Sequence, residues 1–366
     1  MTIAVVGAGL AGLSAAWELR RGGADFVILD AERRAGGTIV TERRDGFIVE
    51  GGPDGFLAAE PDIQDLAREL EIGDRVVDQV AKGSTLWTGT RLEPLPEGRA
   101  AQLLGIQGIS VGAQHPASLQ QGFRSFAAGM ADIVEALVGR LGSRIQLSQG
   151  VTALAPGGTG HAWRLSVTGG SAIEAEAVIL AVPAWVIARL LAGVGVAAAR
   201  ALEDVVYAPS LTVSLAYRAE HVPALEGTGF VAVAESGSAV RACTYTWRKY
   251  PHRAPDGHAL LRAFLGPVDG DPGRVAHTEL TRILALRGAP APTPLWGRAF
   301  HWPRGLPRYR RGHADRVAAV RGRLVHLAPI AIAGAGVDGA GVSACVRSGR
   351  EAAREILRRT VGRSDG

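Results

Sequence analysis

Three glycines near the start of the chain have the spacing of a turn that binds a phosphate group. Gly7, Gly9 and Gly12 form a Gly-x-Gly-x-x-Gly sequence between an apolar, β-branched run and a helix-forming run. The first glycine permits a tight turn, the second lets the main chain approach a pyrophosphate, and the third lets helix and strand pack closely. The N-terminus of the helix adds free N–H groups and the positive end of its dipole. The pattern therefore predicts a dinucleotide-binding strand–turn–helix unit.

A carboxylate and a second pair of glycines follow the next predicted strand. Asp30 ends the apolar run 26–29 and can accept hydrogen bonds from ribose hydroxyls. Gly36 and Gly37 form a turn at which the main chain can pass close to an extended dinucleotide. A nicotinamide enzyme has no obvious need for this second phosphate-side loop, whereas a flavin enzyme has. The two turns together favour FAD.

Two further glycine-rich segments could contact the same cofactor. Residues 51–54, Gly-Gly-Pro-Asp, follow a predicted hairpin and form a rigid loop, for which a simple β-turn cluster is the alternative. Residues 334–342 follow the predicted strand 330–333 and precede a helix predicted from about residue 343 to 359. This second strand–glycine–helix unit could point its helix N-terminus at the cofactor, and a packing turn is the alternative.

Composition and charge exclude several classes of function. The 366 residues are 47% hydrophobic, which is enough for a large core and two connected lobes. The net charge is +5, and no basic stripe interleaved with aromatic residues indicates nucleic-acid binding. Cys243 and Cys345 lie in no metal-ligand motif, so we expect no metal site. The apolar stretch 181–199 contains Pro183 and Arg189, which favour a strand end and an amphipathic helix over a membrane span.

The remaining hydrophobic pattern predicts an α/β fold. The wholly apolar run 177–183 is typical of a buried strand in a parallel sheet. A helix is predicted over 278–286, after a turn-rich loop at 267–273. A mostly antiparallel sheet is predicted from four β-like runs, at 212–217, 230–233, 242–247 and 259–264.

The chain resembles the FAD-dependent protoporphyrinogen/coproporphyrinogen oxidases of the flavin amine oxidase superfamily. Besides the N-terminal glycines, the resemblance rests on segments 33–38, 50–56, 242–258, 302–313 and 333–349. It implies a Rossmann-like FAD-binding lobe and a smaller substrate lobe with a mixed or antiparallel sheet. It also implies a porphyrinogen substrate that loses hydrides to flavin N5, with reoxidation by oxygen or another acceptor. The cofactor carries the chemistry, so no side chain is assigned a certain catalytic role. His258, His301 and His313 are candidate proton acceptors, with a structural or surface role as the alternative.

The chain departs from this family in one long segment. Family members carry a largely helical insert after the hairpin that is here 86–96, and it covers the substrate pocket and assists membrane association. Here only residues 97–121 occupy that place, which implies a less enclosed pocket. The family often places a basic residue just before this hairpin to meet a substrate propionate, and Lys82 is the candidate here. Trp302 and Tyr309 are predicted to wall the pocket, with core packing as the alternative.

The resemblance and the glycine motifs together yield a set of predicted FAD contacts and domain boundaries. The predicted cofactor-binding residues are Gly7, Gly9, Leu10, Ala11, Gly12, Asp30, Ala31, Arg33, Gly36, Gly37, Thr38, Gly51, Gly52, Pro53, Asp54, Val151, Ala181, Gly334, Ala335, Gly341 and Val342. The predicted FAD-binding lobe comprises 1–82, 122–184 and 316–366, with the hairpin and shortened substrate segment at 83–121 and the substrate lobe at 185–315.

Three other functions stay open at this point. One is a flavin oxidase or desaturase acting on an amine or a polyene. Another is a non-catalytic flavin- or haem-pathway binding paralogue, and the third is a nicotinamide-dependent enzyme. For the leading function the expected partners are a porphyrinogen, molecular oxygen or another acceptor, and haem-pathway enzymes. The expected location is cytoplasmic, with peripheral contact with the cytoplasmic membrane and the choice between monomer and homodimer left open.

Overall fold

The computed structural model describes residues 2–96, 99–103, 121–159, 161–288 and 292–361. The predicted connector that replaces the family's insert lies largely outside these residues. The helices are α1 Leu10–Arg21, α2 Asp62–Glu69, α3 Arg99–Leu103, α4 Ala131–Leu141, α5 Ala184–Ala192, α6 Thr246–Lys249, α7 Pro272–Leu284, α8 His313–Leu324, α9 Ala335–Asp338 and α10 Val342–Val361. The strands are β1 Thr2–Val6, β2 Asp25–Leu29, β3 Thr41–Arg44, β4 Phe47–Glu50, β5 Phe56–Leu57, β6 Val76–Asp78, β7 Ser84–Trp87, β8 Leu92–Leu95, β9 Phe123–Phe126, β10 Ile145–Gln146, β11 Val151–Pro156, β12 Trp163–Val167, β13 Ala172–Ala175, β14 Ala177–Leu180, β15 Val206–Arg218, β16 Gly229–Ala232, β17 Val240–Tyr245, β18 His258–Leu265, β19 Trp296–Arg308 and β20 Ile330–Ile332.

A five-stranded parallel sheet carries the first glycine motif. Its order is β10–β2–β1–β14–β20, so β1 lies between β2 and β14. Alternate residues of β1 belong to two separate cores: Ile3 and Val5 pack with α1 and α10, and Ala4 and Val6 pack with α5 and α8. Because both faces are covered, the central strand β14 is wholly apolar and buried, and β1 is apolar after Thr2. The predicted α/β class and its buried parallel strand are confirmed.

A seven-stranded sheet forms the second large layer. Its order is β19–β15–β18–β17–β16–β7–β8, and every neighbouring pair is antiparallel except β16 with β7. One face packs its apolar residues, such as Val213 and Leu261, against Leu280 of α7. The other face carries Thr212, Ser214 and other polar side chains, because side chains of a strand alternate between the two faces. The predicted mostly antiparallel sheet is confirmed.

Two boundaries predicted from the sequence are wrong. The segment predicted as a loop at 267–273 contains the first two residues of α7, which begins at Pro272. The Asp271 carboxylate caps this helix by accepting a hydrogen bond from the Arg274 N–H at 2.9 Å. The run predicted as a strand to residue 247 ends at Tyr245, and α6 begins at the next residue, Thr246. In the described part of the chain, the helices are all too short or too polar to cross a lipid bilayer.

Candidate functional site

The structure places the first two glycine turns side by side. Gly9 and Gly36 form an isolated parallel β-bridge, and the Gly36 N–H donates to the Ala8 carbonyl oxygen at 2.8 Å. A Cβ built on Gly37 would lie 3.4 Å from the Gly9 Cα, which shows how closely the two turns approach. Residues 27 positions apart therefore form one continuous main-chain surface at the end of the parallel sheet.

The space around the first turn fits a ligand that approaches the main chain. A Cβ built on Gly12 would lie 1.8 Å from the Gly7 carbonyl oxygen, so this position has no room for a side chain. Gly7 has φ +107°, and a Cβ there would lie 2.4 Å from the Ala181 carbonyl oxygen. At Gly9, by contrast, a Cβ would meet no atom within 4 Å. The open space at Gly9 is where a pyrophosphate could contact the turn.

Asp30 connects the two turns through its carboxylate. One oxygen accepts a hydrogen bond from the Ala8 N–H, and the other accepts one from the Glu32 N–H at 2.8 Å. An ionised carboxylate has further acceptor positions, so these bonds leave the predicted contact with a ribose open. The Asp30 main chain is bonded to the segment before β11, since its carbonyl oxygen accepts from the Gln149 N–H at 2.7 Å. This arrangement brings Val151, the first residue of β11, to the same end of the sheet.

The loop at 51–54 lies against the second turn. A Cβ built on Gly52 would lie 1.8 Å from the Thr38 carbonyl oxygen. On its other side the loop meets the seven-stranded sheet. The Trp302 indole N–H donates to the Gly51 carbonyl oxygen at 2.7 Å, and Arg262 Nη2 donates to the Gly52 carbonyl oxygen at 2.7 Å. Trp302, predicted as a pocket wall, thus fixes this loop through its indole N–H.

Two ion pairs flank the same loop. Lys249 Nζ lies 2.9 Å from Asp54 Oδ2, and Arg253 Nη1 lies 3.2 Å from Glu50 Oε1 in a fully buried pair. Burial raises the pKa of the Glu50 carboxyl, and Arg253 opposes this rise. Burial also acts on Asp54, but Lys249 and Arg262 outweigh it and lower the pKa of that carboxyl. These charges keep Asp54 ionised beside the loop.

The C-terminal glycine loop joins the same surface. A Cβ built on Gly334 would lie 3.6 Å from the Ala11 Cβ, so this loop lies next to the first turn. The Gly334 N–H donates to Ser348 Oγ at 2.8 Å, which ties the loop to α10. The Tyr309 hydroxyl donates to the Ala335 carbonyl oxygen. Tyr309, predicted as a second pocket wall, therefore contacts this loop as Trp302 contacts the other.

Five further predicted site residues lie at a helix N-terminus or in exposed segments. Gly341 and Val342 lie at the N-terminus of α10, and Ala31 and Arg33 lie exposed on the loop after β2. Lys82 is exposed before β7, and the described contacts do not connect it to the glycine loops.

Two buried arginines beside the loop are absent from the set of predicted site residues. Arg253 and Arg262 are 1% and 4% exposed, respectively. For Arg262 a signal was available, because a charged residue interrupts the apolar run of β18.

Comparison with known proteins identifies the family. A model described as flavin containing amine oxidoreductase matches residues 97–357, and one described as an NAD(P)-binding Rossmann-like domain matches residues 5–70. A relative from Bacillus subtilis named coproporphyrinogen III oxidase is 23% identical, with 97% of each chain covered. A relative of the same name from Mycobacterium tuberculosis is 27% identical, with 96% of each chain covered. The alignment with the Bacillus protein spans 470 positions against 366 residues here, so at least 104 of those positions (470 − 366) have no residue of this chain.

The fold comparison agrees with the family match. A crystal structure of a candidate protoporphyrinogen oxidase from an Exiguobacterium species superposes with a TM-score of 0.81, at 23% identity and with 98% of each chain covered. Cyclohexylamine oxidase from Brevibacterium oxydans superposes with a TM-score of 0.75 at 14% identity, with 98% of this chain and 99% of that chain covered. FAD is the cofactor, and the protein is an FAD-dependent oxidoreductase. The chain belongs to the flavin containing amine oxidoreductase family.

Proposed function

We propose that this protein dehydrogenates a porphyrinogen, protoporphyrinogen IX or coproporphyrinogen III, to the porphyrin in haem biosynthesis. One observation carries the proposal: relatives named coproporphyrinogen III oxidase align over 96–97% of the chain. Bound FAD supplies a ring that accepts a hydride at N5, and molecular oxygen is the proposed final acceptor.

We propose that the four glycine loops hold the cofactor. The open space at Gly9 receives the pyrophosphate, and Asp30 accepts from the ribose. The loops beginning at Gly36, Gly51 and Gly334 contact the rest of the extended dinucleotide, because the structure brings all of them to one surface. Lys82 is proposed to meet a substrate carboxylate at the rim, and the rings of Trp302 and Tyr309 to face the substrate.

The test is an anaerobic titration of the purified, FAD-loaded protein. Protoporphyrinogen IX and coproporphyrinogen III are added separately, and the flavin absorbance is followed. We expect one or both to bleach the flavin, and admission of oxygen to restore its colour while porphyrin fluorescence appears. Apoprotein stripped of FAD is the matched control, since it should give no fluorescence above the spontaneous rate. If neither porphyrinogen bleaches the flavin, the proposal is wrong.

The same titration separates the main alternatives. The shared fold with cyclohexylamine oxidase favours an amine as the second substrate class to test. Bleaching by an amine or a polyene and not by a porphyrinogen would assign the protein to that activity. Absence of bleaching by every donor would indicate a flavin-binding protein without turnover.

A further inference from the structure

A row of polar side chains crosses the seven-stranded sheet on the face opposite α7. Arg298 of β19 is paired in register with Ser214 of β15, which is paired with Arg262 of β18, which is paired with Thr244 of β17. The neighbouring residues in sequence, such as Leu261, pack on the α7 side. Arg262 therefore lies at the centre of the sheet face that contacts residues 51–54.

Arg262 is a buried cation that forms no salt bridge with any described residue, although its charge acts on the Asp54 and Glu50 carboxyls from a greater distance. Its Nη2 donates to the Gly52 carbonyl oxygen at 2.7 Å, while its buried Nε has no hydrogen-bond partner in that set. The described carboxylates all lie beyond 4 Å from it, whereas Lys249 and Arg253 each have one. A guanidinium stays protonated in proteins, and a buried charge without a close partner destabilises the folded state. An electron-rich group beside Arg262 would offset this cost.

Trp302 and Arg262 bind the carbonyl groups of two successive peptide units, and Trp302 fixes the direction of the first, between Gly51 and Gly52. Trp302 holds the Gly51 carbonyl toward the sheet. Because a peptide bond is planar and trans, the Gly52 N–H must point to the opposite side. The Gly52 N–H has no main-chain acceptor within the described part of the chain, and Pro53 has no N–H. The loop thus presents the Gly52 N–H as a donor on the side away from the sheet.

We infer that Arg262 and Trp302 are positioning residues for the flavin ring. They hold two successive carbonyl groups, so that the Gly52 N–H faces an electron-rich atom of the bound ring. The charge of Arg262, which has no described carboxylate within 4 Å and lies directly behind this peptide, favours the reduced cofactor, which carries additional electron density. The inference rests on the proposed placement of FAD against residues 51–54 and is independent of the substrate's identity.

The first test compares the reduction potential of bound flavin in variants of the two arginines of this row. Arg262→Met removes the buried charge, Arg262→Lys keeps it, and Arg298→Met is the matched control. Arg298 is exposed and already paired with Glu42 at 2.6 Å. In Arg262→Met we expect an at least tenfold lower ratio of reduced to oxidised flavin at a fixed potential, about 30 mV for two electrons. Arg262→Lys and Arg298→Met should each stay within threefold of the wild type.

The second test isolates the hydrogen bond from Trp302. Trp302→Phe keeps an aromatic ring and removes the N–H, so it should weaken FAD binding at least threefold and shift the flavin absorbance bands. If Arg262→Met folds, binds FAD and has the same flavin reduction potential as Arg298→Met, the inference is wrong. If Arg262→Met does not fold, Trp302→Phe is the deciding variant. A Trp302→Phe protein with the FAD affinity and absorbance spectrum of the wild type would overturn the inference. These measurements need no porphyrinogen, so a wrong substrate assignment does not affect them.

Discussion

Gly9 has extended backbone, with φ −69° and ψ 174°, and a Cβ built there meets no atom within 4 Å. An alanine can adopt this conformation without strain. Gly9→Ala should therefore leave the free energy of unfolding of the apoprotein within about 0.5 kcal/mol of the wild type. Its methyl group would occupy the space proposed for the pyrophosphate, so FAD should bind at least tenfold more weakly, about 1.4 kcal/mol. Urea unfolding and fluorescence titration with FAD measure the two effects.

Gly12→Ala is the matched control for that experiment. Its Cβ would overlap the Gly7 carbonyl oxygen, so this variant should lose stability even without cofactor. Unchanged FAD affinity in Gly9→Ala would show that the cofactor does not approach the first turn there.

At the scale of the element, the start of α7 depends on one capping side chain. Asp271 accepts from the Arg274 N–H, and Pro272 begins the helix that covers the seven-stranded sheet. Asp271→Ala should lower the free energy of unfolding by about 1 kcal/mol, because an N–H at the helix N-terminus loses its acceptor. Asp269→Ala, three residues before the helix in an exposed loop, should change it by less than about 0.5 kcal/mol. Equal urea midpoints for the two variants would contradict the capping role.

The sequence predicts those elements whose signals are local. The first glycine motif, β14 and the runs of the antiparallel sheet have clear patterns of glycine or apolar residues, and the structure contains the corresponding elements. Asp271 before Pro272 is also a local signal for the start of a helix, but the turn residues around it favour a loop. No local pattern could show that Trp302 and Arg262 meet Gly51 and Gly52, because more than 200 positions separate these partners.

At the scale of the whole molecule, one buried arginine joins distant parts of the chain. Arg253 lies just before β18 of the seven-stranded sheet. It donates to Glu50 of β4 at 3.2 Å, and to Ser125 Oγ and the Phe126 carbonyl oxygen of β9 at 2.6 and 3.1 Å. Glu50 also accepts from the Met130 N–H at 2.8 Å, at the start of α4. These bonds connect segments near residues 50, 125 and 253, so their loss should affect unfolding of the whole protein.

Removal of the Arg253 charge should therefore make stability depend more strongly on pH. In Arg253→Met, burial raises the pKa of Glu50 further because the nearest cation no longer opposes it, so the folded state keeps a proton that the unfolded state has released. The free energy of unfolding then decreases as the pH rises above the pKa of Glu50 in the unfolded state, about 4.3, until the pH passes its pKa in the folded state. The loss relative to wild type should be about 3–5 kcal/mol at pH 7 and smaller at pH 5. Urea unfolding at both values measures it, with Glu50→Gln/Arg253→Met as the control that has no carboxyl to titrate. An equal loss at pH 5 and pH 7 would show that Arg253 acts through packing and not through the charge of Glu50.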